Sequence, residues 1–301
     1  MIKELSVKYS ISSVSRAFSI SRSLIYSYLR EGEKEMERMD RVREKYKELK
    51  LKFDELCREF PKYGYRRIRI MLRRRHGIWM SKKTVQKIMR AFNLSLPTKK
   101  KRTQRKRYDK SHKIERPNQL WQTDLTKVWV KGSGWCFLFA VIDCFTREIV
   151  GWCFSLFGSA KEAIKALERA VELRFLYGIP EDISLTVNSD NGSQFGARAY
   201  QKAVRDFGFE FTRTGYDTPE DNAYIESFFG KFKEEEAWTK EYEGFLEAES
   251  EIEEWIWWYN NERIHSSLNY LTPVEFRKAY YESLQTSEGE QLHLNQASVL
   301  S

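Results

Sequence analysis

The sequence predicts an α/β protein, a mixed sheet with flanking helices, preceded by an all-α basic region. Three observations carry this. From residue 120, three apolar runs rich in aromatic and β-branched side chains precede alternating helical and strand-like segments. Charge is divided along the chain: residues 1–116 hold 35 Lys/Arg against 13 Asp/Glu, the remainder 17 against 30. Residues 97–116, almost without apolar side chains, mark the boundary.

Length and composition bound the rest. With 301 residues, 41% hydrophobic and 15% aromatic, the chain can bury real cores, which excludes wholesale disorder. The longest uninterrupted apolar run, Trp135 to Ile142, is far too short to span a bilayer. The N-terminus MIKELSVKYS has no apolar signal core, so an intracellular protein is expected. Cys57, Cys136, Cys144 and Cys153 show no CxxC pairing and the four histidines are scattered, so reduced thiols are expected and a zinc or disulfide framework is not.

The N-terminal third is helical in pattern. Ser12 before VSRAF and Ser21 before RSLIYSYL are expected N-caps, and residues 11–29 have the rhythm of a helix-turn-helix. Residues 31–60 place Met36, Met39, Val42, Tyr46, Leu49, Phe53, Leu56 and Phe60 at helical spacing, which predicts one amphipathic helix ended by Pro61 and Gly64. Residues 65–93 predict a second helix-turn-helix, with Gly77 stopping its first helix and Ser81 capping its second. Ile68, Met71 and Leu72 share one apolar face; Val85, Ile88, Met89 and Phe92 share another. Arg66, Arg67, Arg69, Arg73, Arg74 and Arg75, with Lys82, Lys83 and Lys87, are expected outside, the second helix entering a DNA major groove. The alternative is a basic hairpin that merely packs.

Residues 97–116 are expected to form a linker that follows phosphates, through Lys99, Lys100, Lys101, Arg102, Arg105, Lys106 and Arg107. The expected organisation is a helical region (1–60), a helix-turn-helix domain (61–96), the linker, a catalytic core (117–240), its helical extension (241–283) and a polar tail (284–301). An excess of cation this large points to a polyanionic partner, nucleic acid first.

From residue 120 the elements follow in order. LWQTDLTKVWV, WCFLFAVIDCF and REIVGWCF read as three strands, with turns at Gly132–Gly134 and Thr146–Arg147. Ser159 opens a helix closed by Gly178 and Pro180; ISLTVNSD is a fourth strand, GARAYQKAVRDFG a helix, FEFTRT a fifth strand, and DNAYIESFFGKFKEE a helix. This is the element order of the ribonuclease-H-like fold.

Three carboxylates stand at telling places: Asp124 inside the first strand, Asp190 just past the fourth, and Glu226 on the helix that follows the fifth. Two carboxylates ~4 Å apart repel by roughly 4 kcal/mol at an effective dielectric near 20. Three converging acids therefore need a dication. Hard oxygen ligands suit Mg²⁺ or Mn²⁺, and two such ions serve phosphodiester transfer. Taken singly, each acid is a surface or turn residue, Asp190 before Asn191 and Gly192 especially so.

WQTDLT around Asp124, SDNGSQF around Asp190, DNAYIESFFGKFK around Glu226, the 35 residues between Asp190 and Glu226, YGYRRIRIML at 63–72 and RIHSSLNYLTPVEF at 263–276 together resemble a bacterial insertion-sequence transposase. The likeness is to the second reading-frame product of the "IS three" group, with a retroviral-integrase-type core, and it runs from about residue 2 to 280. The resemblance implies that Asp124, Asp190 and Glu226 are catalytic ligands of two Mg²⁺ or Mn²⁺ ions. It implies that Lys233 contacts donor-end DNA, that Asn191, Gly192 and Asn222 shape the site, and that His265 supports it or the DNA. The implied activity is strand cleavage and transfer at the ends of a mobile element, then integration. Implied partners are double-stranded DNA (terminal inverted repeats and target), a second copy of the chain at least, and an upstream-frame partner or frameshift fusion, in a bacterial cytoplasm at the nucleoid. The rivals are a structure-specific nuclease of the same fold, a non-catalytic DNA-binding regulator, and an RNA-cleaving relative. Finally, Phe245, Ile252, Trp255, Ile256 and Tyr259, beside Trp257 and Trp258, are expected to pack on the sheet; a subunit interface or base-stacking platform is the alternative.

Overall fold

The computed structural model describes residues 2–97, 114–214 and 222–285. The chain forms two compact units, Met1–Gln104 and Arg105–Ser301. Among the described residues no helix is long and apolar enough to cross a membrane.

The first unit contains six helices among its described residues: α1 (Ile2–Lys8), α2 (Ile11–Phe18), α3 (Arg22–Lys45), α4 (Lys50–Glu59), α5 (Tyr65–His76) and α6 (Lys82–Ala91). Ser10, not Ser12, caps α2, its hydroxyl accepting the Ser13 amide at 3.2 Å. Ser21 caps α3 and Ser81 caps α6 as expected, and Gly77 closes α5 in the left-handed conformation. The single helix expected over 31–60 is corrected: α3 starts at Arg22 and a 3-10 turn, Lys47–Leu49, separates it from α4. Nothing between the Ser21 cap and Lys45 breaks a helix except Gly32, and one exposed glycine costs only about 1 kcal/mol. Phe53, Leu56, Phe60, Ile68, Leu72, Val85 and Ile88 are buried, as are Met71 and Met89. Phe92 of the expected face is half-buried.

The second unit is built on one five-stranded sheet: β1 (Leu120–Val130), β2 (Gly134–Asp143), β3 (Ile149–Ser155), β4 (Thr186–Ser189) and β5 (Glu210–Arg213). Their spatial order is β3-β2-β1-β4-β5. The β3-β2-β1 pairs are antiparallel and the β1-β4-β5 pairs parallel, the mixed sheet that the sequence predicts. Helices α7 (Ala160–Arg174), α8 (Ser193–Gly196), α9 (Arg198–Asp206), α10 (Ala223–Phe232) and α11 (Phe245–Asn261) complete it, and residues 273–285 are helical.

Strand alternation assigns each face. Trp121, Phe139, Val141 and Val187 pack with the residues of α7 and α9. Val128, Val130, Leu138, Ala140 and Ile142 pack with Ile225, Phe228, Phe229 and Phe232 of α10 and with Ile252, Trp255, Ile256 and Tyr259 of α11. The aromatic cluster of α11 is therefore core, with Phe245 and Trp258 partly buried against it, while Trp257 is exposed. Gly151 lets α7 lie directly on β3: a β-carbon there would sit 2.1 Å from the Ala166 carbonyl oxygen. α7 ends at Arg174, short of the expected stop at Gly178, where Phe175 leaves the helix to stack on Trp121 and pack against Phe209.

Candidate active site

Asp124 and Asp190 are neighbours because β1 and β4 are parallel. Thr123 pairs with Ser189, the last matched pair, and each acid is the next residue. Adjacent strands lie ~4.8 Å apart. Asp124 is two residues from Gln122, so both share the face against which α10 packs.

Gln122 brings the third acid. Its side chain is buried, and Oε1 accepts the backbone amides of Tyr224 and Ile225 at 3.0 and 3.1 Å. These amides belong to the first turn of α10, where no residue of the helix can accept them. The strand thus caps the helix that carries Glu226, which lies one residue after Ile225. No side chain of its own caps α10, and Asn222, at its start, is buried with Oδ1 unpartnered among the described residues.

The charges of the acids act on one another. Burial pushes the Asp124 carboxyl up to about 7, and the charges of Asp190 and Glu226 push the same way; the Leu125 amide and Lys233 oppose them. Glu226 is raised too, by burial first and by Asp190 second. Lys233, at the start of the π turn Lys233–Ala237 that continues α10, is the cation in this field. Each aspartate meanwhile engages backbone: Asp124 Oδ1 accepts the Leu125 amide at 2.7 Å and Asp190 Oδ1 the Gly192 amide at 2.9 Å. Among the described residues no three Asp, Glu, His or Cys side chains gather as a group that could hold a metal ion. As a donor set, three coupled carboxylates fit a hard dication, which would remove their mutual repulsion.

Gly192 is closely approached: a β-carbon there would stand 2.2 Å from Gln194 Nε2 and 2.9 Å from Asp190 Oδ1, so both side-chain ends would have to shift. Asn191 Nδ2 donates to the Thr214 carbonyl at 3.0 Å, tying the loop after β4 to the end of β5. His265 lies after α11, edge-on to Tyr259 and 3.4 Å from Arg263 Nη1.

Residues 114–218 and 208–273 each match the family described as "Integrase core domain", and residues 33–102 match "HTH-like domain". The "Transposase for insertion sequence element IS629" of Shigella sonnei is 32% identical, the match covering 74% of this chain and 76% of the relative. The chain belongs to the insertion-sequence transposases of the "IS three" group. The "Putative transposase InsK for insertion sequence element IS150" of Escherichia coli (strain K12) is 29% identical over 93% of this transposase and 98% of the relative. The magnesium-bound "HTLV-2 integrase catalytic core domain" is 18% identical over 54% of this chain and 97% of that one, with a TM-score of 0.42. The protein is a DNA transposase with an integrase-type polynucleotidyl transferase core.

In the transposase the basic hairpin is α5 and α6. Lys82, Lys83 and Lys87 are exposed on α6. Arg66 and Arg73 are exposed on α5; Arg67 is half-buried over the Tyr63 ring. Arg73 stacks on exposed Trp79 at 3.5 Å. Of the arginines expected outside, Arg75 is exposed and Arg69 is not fully so. Arg69 is half-buried, with Nε buried and unpartnered among the described residues, and Arg75 pairs with Glu59. The linker cations Lys99, Lys100, Lys101, Arg102, Arg105, Lys106 and Arg107 lie outside the described residues.

Sequence reasoning missed Gln122 and Arg263. Gln122 had a usable signal: two residues before Asp124 in a strand, it is a polar side chain on the same face. Arg263, 1% exposed, opens the motif RIHSSLNYLTPVEF, but its burial was not legible, since arginine is ordinarily a surface residue.

Proposed function

We propose that Asp124, Asp190 and Glu226 are the catalytic carboxylates of this transposase and hold two Mg²⁺ or Mn²⁺ ions at the ends of the mobile element. The observation that supports this best is that Asp124, on β1, is raised by burial and feels the charges of both Asp190, past the end of β4, and Glu226, on α10. An unrelieved arrangement of this kind is costly, and a divalent cation relieves it.

Mg²⁺ held by Asp124, Asp190 and Glu226 would supply activation of the attacking oxygen and charge neutralisation at the leaving oxygen. The chain's own residues do the rest. Gln122 holds Glu226 at the sheet through the α10 amides. Gly192 leaves room for Asp190. Lys233 puts a cation where a phosphodiester of the donor end would lie. In the cleavage step water attacks phosphorus and the bond to the 3′ oxygen breaks, leaving a 3′-hydroxyl. In the joining step that hydroxyl attacks a second phosphodiester and displaces its 3′ oxygen.

Lys82, Lys83 and Lys87 with Arg66, Arg67 and Arg73 are assigned to duplex DNA, with α6 in the major groove. The linker cations follow phosphates, and Asn222 and His265 support the site. Synapsis of two ends calls for at least two copies of the chain, with an upstream-frame partner or fusion supplying further end recognition. The setting is the bacterial cytoplasm, at the nucleoid.

The test is incubation of the full chain with labelled element-end duplex and Mg²⁺. Cleaved and joined strands are expected. Cleavage without joining would favour a nuclease; neither product, with binding intact, would favour a regulator.

A further inference from the structure

The π turn Lys233–Ala237 carries a residue that sequence spacing alone does not explain. Glu235 meets Arg263 through two parallel hydrogen bonds, Nε to Oε2 and Nη2 to Oε1, both 2.8 Å. The pair is buried, with the Arg263 side chain 1% and the Glu235 side chain 8% exposed. Arg263 is held from behind by its backbone amide on the Trp258 carbonyl, by the Tyr259 ring and by His265. Burying two charges costs several kcal/mol per ion, and an apolar pair of the same size would be as stable or more so. A buried bidentate pair is therefore better explained by the geometry it imposes than by stability.

That geometry bears on Lys233. Lys233 follows Glu226 by two helical turns, so both side chains lie along one side of the helix, beside the buried face of Ile225, Phe228, Phe229 and Phe232. Residues two apart on a helix do not share a face. Drawing Glu235 toward Arg263 therefore turns Lys233 to the other side of the turn, and it is the Lys233 charge that Asp124 feels. The turn itself is π-helical, closed by the Trp238 amide on the Lys233 carbonyl at 3.0 Å, a geometry that is rare and needs outside support.

We propose that Arg263 and Glu235 are positioning residues: their ion pair fixes the π turn so that Lys233 faces the carboxylate site. This rests on the reading of Asp124, Asp190 and Glu226 as that site. It gives the signature after α11, in which Arg263 precedes His265, a task at the active site without a contact to DNA.

The test uses the full chain with its lysines reductively ¹³C-methylated, the Lys233 resonance being identified by its loss in Lys233→Arg. Glu235→Gln removes the charge and keeps the volume; circular dichroism verifies that it folds, and Glu235→Asp is the substitute variant. In Glu235→Gln the Lys233 resonance moves toward those of exposed lysines, and the exchanged pair Glu235→Arg with Arg263→Glu restores part of its position. With labelled element-end duplex at saturation, cleavage falls about ten- to hundred-fold while Kd changes less than about twofold, and this loss disappears in a Lys233→Ala background. An unmoved Lys233 resonance, or an equal loss in the Lys233→Ala background, overturns the proposal. Absence of cleavage by the unmodified protein would instead count against the carboxylate reading, and the resonance still decides this one.

Discussion

Gln122 Oε1 accepts the Ile225 backbone amide at 3.1 Å, so that a strand residue two positions before Asp124 caps the helix that bears Glu226. One buried side chain thereby couples two of the three acids. Gln122→Leu leaves the amides of Tyr224 and Ile225 unpaired beside an apolar group. A stability loss of about 1–3 kcal/mol is expected from urea unfolding, with a larger relative loss of strand cleavage. Gln122→Glu retains the acceptor and is expected to keep the fold; normal cleavage by Gln122→Leu would refute the coupling.

Asp124→Asn, Asp190→Asn and Glu226→Gln are each expected to abolish cleavage and joining while leaving duplex affinity near that of the unaltered protein. Gel assays of products, paired with binding isotherms, check this. Transposition at normal rate by any one of them would remove that residue from the site.

The raised carboxyl of Asp124 links stability to pH. Its folded-state value of about 7 lies above that of an unfolded aspartate. The folded state therefore binds a proton that the unfolded state has released, and stability is lost as pH rises toward and through 7. Without divalent metal, Asp124→Asn should match the unaltered protein near pH 4 and exceed it by up to about 4 kcal/mol at pH 9. Urea unfolding across that range measures the difference. Parallel curves would show that the Asp124 carboxyl is not raised.

Affinity for element-end duplex should fall steeply with salt. Replacing Lys82, Lys83 or Lys87 by Ala should lower the slope of log K against log salt by about 1 for each phosphate contact removed. An unchanged slope would show that α6 does not meet the backbone.

Much of this was legible in the sequence, for physical reasons. Strand β1 announced itself through aromatic and β-branched residues, and Asp124 stood out as a charge inside it. Ser21, Ser81 and Gly77 carry local capping chemistry that needs no tertiary context. What escaped depends on long-range partners. The 3-10 turn at Lys47–Leu49 interrupts an unbroken apolar stripe with no glycine or proline to mark it. Helix α7 stops where Phe175 meets Trp121. The π turn and its clamp join residues 28 positions apart, Glu235 and Arg263, and no local propensity encodes such a pair.

The most direct measurement is anomalous diffraction from crystals of the transposase grown with element-end duplex and Mn²⁺. Manganese peaks in contact with the carboxylates of Asp124, Asp190 and Glu226 are the expected result. Well-occupied manganese elsewhere, with none touching these three side chains, would contradict the account.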